Sequence, residues 1–318
     1  MAPRNIIIDC DPGQDDAVAL FLAFASPEEL TILGITTVGG NVPLALTQRN
    51  ARQMCDIADR RETRVFAGCA EPMRRPLRTA ESIHGETGIN GIDAIEPQTP
   101  LQSEHAVDFI IRTLLAADED SITLVPTGPL TNIATAITQA PAILPSIRQI
   151  VLMGGAMREG GNRTPSAEFN ILVDPDAADI VLRCGRPVVQ LGLDVTHQVL
   201  STRERVARIK ALGNPVADAT AGMLSFFARY DIRKYASSGA PLHDPCTVAW
   251  LLKPALFTGK DCNVAVETCS ELTLGHTAVD FWQVTDRPRN VHWIYAVDAD
   301  GFYDLLTERL ARFGGQVS

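Results

Sequence analysis

The chain has 318 residues, a formal net charge of −10, 46% hydrophobic residues and 21% charged residues. This is ordinary globular composition, long enough to bury about 75% of the unfolded surface. The acidic balance argues against nucleic-acid or anionic-membrane binding. Seven cysteines, odd in number and without C-x-x-C spacing, fit reduced thiols in a cytoplasm rather than a disulfide frame or a zinc site. The stretch before Asp9 is too short for a signal peptide, and no apolar run approaches the ~18 residues of a membrane span.

The chain opens on Ile6, Ile7 and Ile8, a strand buried on both faces. Four aspartates follow within eight residues (Asp9, Asp11, Asp15 and Asp16), with no Lys or Arg among them. Pro12 pushes Asp11 away from helical dihedrals and Gly13 permits a tight turn. A helix over Gln14–Ala25 comes next. The acids thus sit between a strand's carboxyl end and a helix's amino end, the crevice where open α/β sheets bind ligands. Capping explains one or two of them. Four mutually repelling carboxylates call for protonation or a cation, and hard divalent cations take carboxylate oxygens. An EF-hand is excluded, because its twelfth position, counted from Asp9, is Leu20 rather than Glu.

Further on, Thr31–Val38 reads as a strand ending in Gly39-Gly40-Asn41, and Pro43–Arg60 as an amphipathic helix. Arg64–Ala67 is a short strand. Residues 74–100 look like a long loop carrying Ile83-His84-Gly85, of a length that points to function or mobility. Helix Glu104–Ala117 leads to strand Ser121–Pro126, then Thr127-Gly128-Pro129 and helix Leu130–Ala140. Strand Gln149–Met153 runs into a glycine-rich loop, Gly154–Asn170, which is not a phosphate loop of the G-x-x-x-x-G-K-[ST] kind. Helix Pro175–Cys184 and strand Pro187–Leu193, ending at Asp194, follow. Helices are expected over Thr202–Leu212, Pro215–Tyr230, Cys246–Leu252 and Gly301–Phe313. Asp231–Leu242 reads as irregular, and Val264–Glu267, Glu271–Thr273 and Val291–Val297 as strands. Alternating strands and helices predict a single α/β domain over 1–318, with a mainly parallel central sheet flanked by helices. Polar residues recur where strands end, converging on one crevice.

These motifs together resemble the inosine–uridine nucleoside hydrolase family, nearly end to end. The resemblance rests on D-C-D-P-G-Q-D-D (Asp9–Asp16), G-G-N (Gly39–Asn41), I-H-G (Ile83–Gly85), V-P-T-G-P-L-T-N (Val125–Asn132), V-L-M-G-G (Val151–Gly155), A-E-F-N (Ala167–Asn170) and H-D-P (His243–Pro245). It implies a seven- or eight-stranded, mostly parallel core sheet, a bound calcium ion, a homodimer or homotetramer, and hydrolysis of ribonucleosides to free base and ribose. Carried onto this chain, Asp11, Asp16, the Thr127 carbonyl and Asp244 would hold calcium, and Asp11 would be the general base. Asp15, Asn41, Asn162, Glu168 and Asn170 would hold the ribose, with Met153 and Phe169 beside the substrate. His243 would serve the leaving base as donor or stacking partner, and His84 would contact it. Asp9 would support the turn, and Asp194 the fold.

The base would be gripped by two mobile segments, residues 74–91 and 226–242, with Asp231, Arg233 and Tyr235 as candidates in the second. Pyrimidine-preferring members carry a tyrosine where Tyr235 stands, but a glutamine where Asp231 stands; some purine-preferring or broad members carry a tyrosine there. The chain matches the first and departs at the second, leaning to pyrimidine ribonucleosides with purine-preferring or broad activity as the alternative. Two competitors remain. An Asp-nucleophile phosphatase wants Thr or Val where Gly13 stands. A non-catalytic nucleoside- or calcium-binding protein would keep the same ligands.

Overall fold

The computed structural model describes residues 2–93, 95–235 and 238–314, and the side chains of all of these except 230–235. The first half contains β1 (Arg4–Cys10), α1 (Gln14–Phe24), β2 (Leu30–Thr37), α2 (Leu44–Ile57), β3 (Val65–Ala67), α3 (Glu81–His84), β4 (Leu101–Gln102), α4 (Ala106–Leu115), β5 (Ile122–Pro126), α5 (Thr131–Gln139) and β6 (Ile147–Met153). The second half contains α6 (Phe169–Val173), α7 (Pro175–Leu182), β7 (Val188–Leu191), α8 (Leu193–Thr196), β8 (Leu200–Thr202), α9 (Arg203–Lys210), α10 (Pro215–Tyr235), β9 (Gly239–Pro241), α11 (Pro245–Leu252), β10 (Phe257–Cys262), β11 (Val264–Val266), β12 (Thr277–Val279), β13 (Val291–Val297) and α12 (Ala299–Ala311).

Nine strands form one sheet in the order β10-β13-β7-β6-β5-β1-β2-β3-β4. Neighbours from β13 to β4 run parallel, and only the edge strand β10 pairs antiparallel with β13. β1 lies between β5 and β2, which is why its isoleucines are buried on both sides. Ile6, Ile8 and Cys10 point into one apolar layer with α1 and α11, while Ile7 points into the other with α4 and α5. Alternation with period two thus divides the core into two layers, each buried isoleucine contributing ~1.5–3 kcal/mol. Cys10 is fully buried packing, alternating away from the neighbouring aspartates.

Four readings of the sequence are corrected. Asp231–Leu242 is not irregular throughout: α10 continues to Tyr235, and β9 pairs antiparallel with β8. Residues 271–273 are turn; the strand lies at Thr277–Val279 and pairs with β11. The edge strand Phe257–Cys262 goes unseen in the sequence because Gly259, Lys260 and Asp261 break its apolar pattern. Residues 81–84 of the long loop form one helical turn, α3. Among the described residues, no helix is long and apolar enough to cross a membrane.

Candidate active site

The carboxyl ends of β1, β2, β5 and β6 meet at one crevice. The acid-rich turn follows β1, and α1 starts at Gln14 with Gly13 as its N-cap. Asp16 accepts from the Gly13 backbone N–H at 3.0 Å and from the Thr127 hydroxyl at 2.7 Å, so it ties the β1 turn to the end of β5. Thr127 therefore does not cap a helix; α5 starts at Thr131. Asp9 points the other way, accepting from Thr36 at 2.6 Å and Asn132 at 2.8 Å, which makes it a strut between β1, β2 and α5. Burial pushes its carboxyl up to about 7.

Asp11 is fully buried, and its Oδ2 accepts from the Asn41 backbone N–H at 2.6 Å. Its Oδ1 is buried without a hydrogen-bond partner, as is Asp15 Oδ1. A Cβ at Gly40 or at Gly128 would overlap the Asp11 carboxylate, so these two glycines are the walls that hold it. Asp15, Asp16 and Asp244 each offer an oxygen within 4.8 Å of the others, and all three are buried. Burial raises Asp11 and Asp244 well above the ordinary carboxylate range, reinforced by the neighbouring acids. Burial and the Asp15 charge push Asp16 up to about 7. Orphaned, buried, mutually repelling oxygens beside a backbone carbonyl are the donor set of a hard cation. The cluster can hold a metal ion. The three convergent carboxylates include Asp15 where the sequence reading has Asp11; Asp11 stands beside them, held by Asn41.

Above this floor lies a cavity of about 520 Å³. One end is polar, lined by Asp15, Asn41, Thr127, Glu168, Asn170 and Asp244. Glu168 N-caps α6: its Oε1 accepts from Asn170 N at 2.9 Å and its Oε2 from Gly155 N at 2.9 Å. It thus fixes the start of the glycine-rich loop, and burial pushes it up to about 7. Asn170 donates to the Thr127 carbonyl at 2.7 Å and to the Met153 carbonyl at 3.2 Å, joining β5 to β6 at the cavity wall. Asn162 accepts from Phe169 N at 3.0 Å, and both line the cavity with Met153.

The other end is ring-rich. His84 and Phe227 stack with centroids 5.4 Å apart, beside Ile83. Gln14 donates its amide to the His84 carbonyl, so its oxygen faces His84 Nδ1 at 2.7 Å and makes that nitrogen the donor. Burial lowers His84. His243, part-buried and opening on the cavity, has Nδ1 2.8 Å from the Thr196 hydroxyl, and burial pushes it down to about 4. Both rings are therefore neutral near pH 7.

The structure thus brings Asp15, Asn41, His84, Thr127, Met153, Asn162, Glu168, Phe169, Asn170, His243 and Asp244 to one cavity, with Asp11 and Asp16 in its floor. Asp231, Arg233 and Tyr235 have side chains outside the described residues. Sequence reasoning missed Phe227, Glu159, Arg163 and His197, which also line the cavity. Phe227 lies within a flagged segment, but helical periodicity marks it as core. Asp194 accepts from Met157 N and Arg158 N, both at 2.7 Å, a support for the loop after β6.

The model of the inosine-uridine preferring nucleoside hydrolase family matches residues 6–304. The chain belongs to that family. It is an N-glycosyl hydrolase of nucleosides. An uncharacterized protein of Schizosaccharomyces pombe is 49% identical to it over 97% of this chain and 99% of its own. A protein of a Shewanella species named pyrimidine-specific ribonucleoside hydrolase RihA is 48% identical over 97% of this chain and 96% of its own. A solved purine-preferring ribonucleoside hydrolase from Gardnerella vaginalis superposes with a TM-score of 0.91 at 34% identity, covering 99% of this chain and 100% of that one.

Proposed function

We propose that this hydrolase cleaves the N-glycosidic bond of ribonucleosides to free base and ribose, with calcium in the acid cluster and a preference for pyrimidines. One observation carries the reading: an unpartnered Asp11 oxygen in a floor of buried acids, beneath a cavity lined by hydrogen-bonding side chains and two imidazoles.

Asp11, Asp16, the Thr127 carbonyl and Asp244 are the residues that would hold the ion, with Asp15 close enough to share it. Calcium, when bound, stabilises the ionised carboxylates and makes a coordinated water more acidic. Asp11 Oδ1 accepts a proton from the attacking water, for which its Oδ2 is held still by Asn41. Asp15, Asn41, Asn162, Glu168 and Asn170 hold the ribose hydroxyls, Met153 packs beside the sugar, and Phe169 covers it. As the C1′–N bond lengthens, positive charge grows on the ribose, and the acids at this end favour it. A general base supplies ~10²–10⁴-fold, so positioning and leaving-group activation carry most of the acceleration. His243 donates a ring N–H to the departing base. His84, whose Nδ1 is bound to Gln14, offers Nε2 as an acceptor to the base edge.

The pyrimidine preference is supported by the name of the 48%-identical relative and by Tyr235. The Gardnerella neighbour keeps purine-preferring or broad activity as the second reading. The free cysteines of this structure suit a reducing cytoplasm, where nucleoside salvage would use the products. The resemblance extends the proposal to a homodimer or homotetramer, which light scattering checks. The deciding experiment is release of reducing sugar from uridine, cytidine, inosine and adenosine with calcium present. No release from any of the four overturns the hydrolase reading, and faster turnover of inosine than of uridine and cytidine overturns the preference.

A further inference from the structure

The one-turn helix α8 and its cap support the cavity wall through three polar side chains. Asp194 holds the Met157 and Arg158 amides, Thr196 holds His243, and His197 holds Glu159 with Nδ1 and Oε2 2.9 Å apart. His197 and Glu159 both line the cavity, and the His197 ring lies 5.8 Å from the His243 ring, centroid to centroid. The His197 side chain is 32% exposed and that of Glu159 45%.

A nucleobase leaves poorly as an anion, so its departure needs a proton at the moment the glycosidic bond breaks. His243 has one ring nitrogen committed to Thr196. His197 has a carboxylate partner that holds its Nδ1 and its ring angle, a face on the cavity, and an open side through which solvent can return a proton. Glu159 comes from the glycine-rich loop and His197 from the end of α8, so the pair exists only when that loop sits against the helix. The Asp194 bonds to residues 157 and 158 place it there.

We propose that His197, held by Glu159, is a further proton donor to the departing base, with Glu159 as its positioning residue. The inference rests on the hydrolase reading. In the step, water adds its oxygen to C1′ and gives its proton to Asp11. The C1′–N bond breaks with its electron pair going to the base nitrogen, and the doubly protonated His197, keeping Nδ1–H on Glu159, gives its Nε2 proton to that base. Solvent then reprotonates His197 and takes the proton from Asp11, so the net reaction consumes one water.

The test compares uridine with 4-nitrophenyl β-D-ribofuranoside, whose nitrophenolate leaves without a proton while its ribose makes the same demands. His197→Gln is expected to lower kcat for uridine by ~10²-fold and to leave the nitrophenyl riboside within about threefold. Glu159→Gln should follow the same pattern at about tenfold, and it carries the test alone if circular dichroism shows His197→Gln misfolded. Equal losses on both substrates mean that the pair only braces the loop, and unchanged uridine turnover removes any role; either result overturns the proposal while the wild type still cleaves uridine. A wild type inactive on both substrates overturns the hydrolase reading instead.

Discussion

The two ends of the cavity are made differently. The polar end rests mainly on strand termini of the central sheet, Asp11 after β1, Asn41 after β2, Thr127 after β5 and Met153 at the end of β6, joined by Glu168 and Asn170 at the start of α6 and Asp244 at the start of α11. Its side chains bind one another's backbones, as Asp11 does Asn41 and Asn170 does Thr127, so displacing one displaces several. The ring-rich end is assembled from a one-turn helix, α3, from α10, and from the β8–β9 pair, all outside the central sheet. Its contacts are mostly ring packing and single side-chain bonds. On the proposed reading, the polar end meets the same ribose in every substrate, whereas a wall of separate pieces can change its base without disturbing the chemistry.

That contrast predicts where substitutions strike. Asp16→Ala removes an acid and the bond to Thr127 together, and should lower kcat/KM by ~10³-fold or more, equally for uridine and inosine. A loss that depends on the base would break the division between the ends. Asp11→Ala should leave the fold, checked by circular dichroism, and cut kcat by at least ~10²-fold; wild-type kcat would remove its role as base. Chelation should abolish turnover and lower the melting temperature by several degrees, ~4 °C or so, because an ion bound only by the folded chain stabilises it. Calcium should restore both and magnesium, which resists dehydration, should not. His243→Ala should cost ~10²-fold in kcat for natural nucleosides and by different amounts for uridine and inosine. The smallest effect belongs to Phe227→Ala. Losing its stacking against His84 should raise KM about three- to tenfold and shift the uridine-to-inosine ratio, with kcat nearly unchanged. An equal KM rise for both bases would make Phe227 mere packing.

The polar end is legible in the sequence for a chemical reason. Acids are expensive next to a buried strand, so Asp9 to Asp16 after three isoleucines announce a purpose, and Asn41 and Thr127 stand at the same kind of boundary. His197 follows Asp194 at such a boundary too, but its Glu159 partner lies 38 residues earlier, and no local pattern announces a pair that forms only when a loop folds back.

The sequence by itself determines the parallel α/β architecture, the family and the residues of the cavity floor, because periodicity and buried charge are local properties. Tertiary structure alone decides that Asp9 turns away to Thr36 and Asn132, that Asp15 converges with Asp16 and Asp244, and that Phe227 faces His84. Which oxygens meet depends on how helices and strands far apart in the chain are set around one another, and a linear pattern carries no such distances.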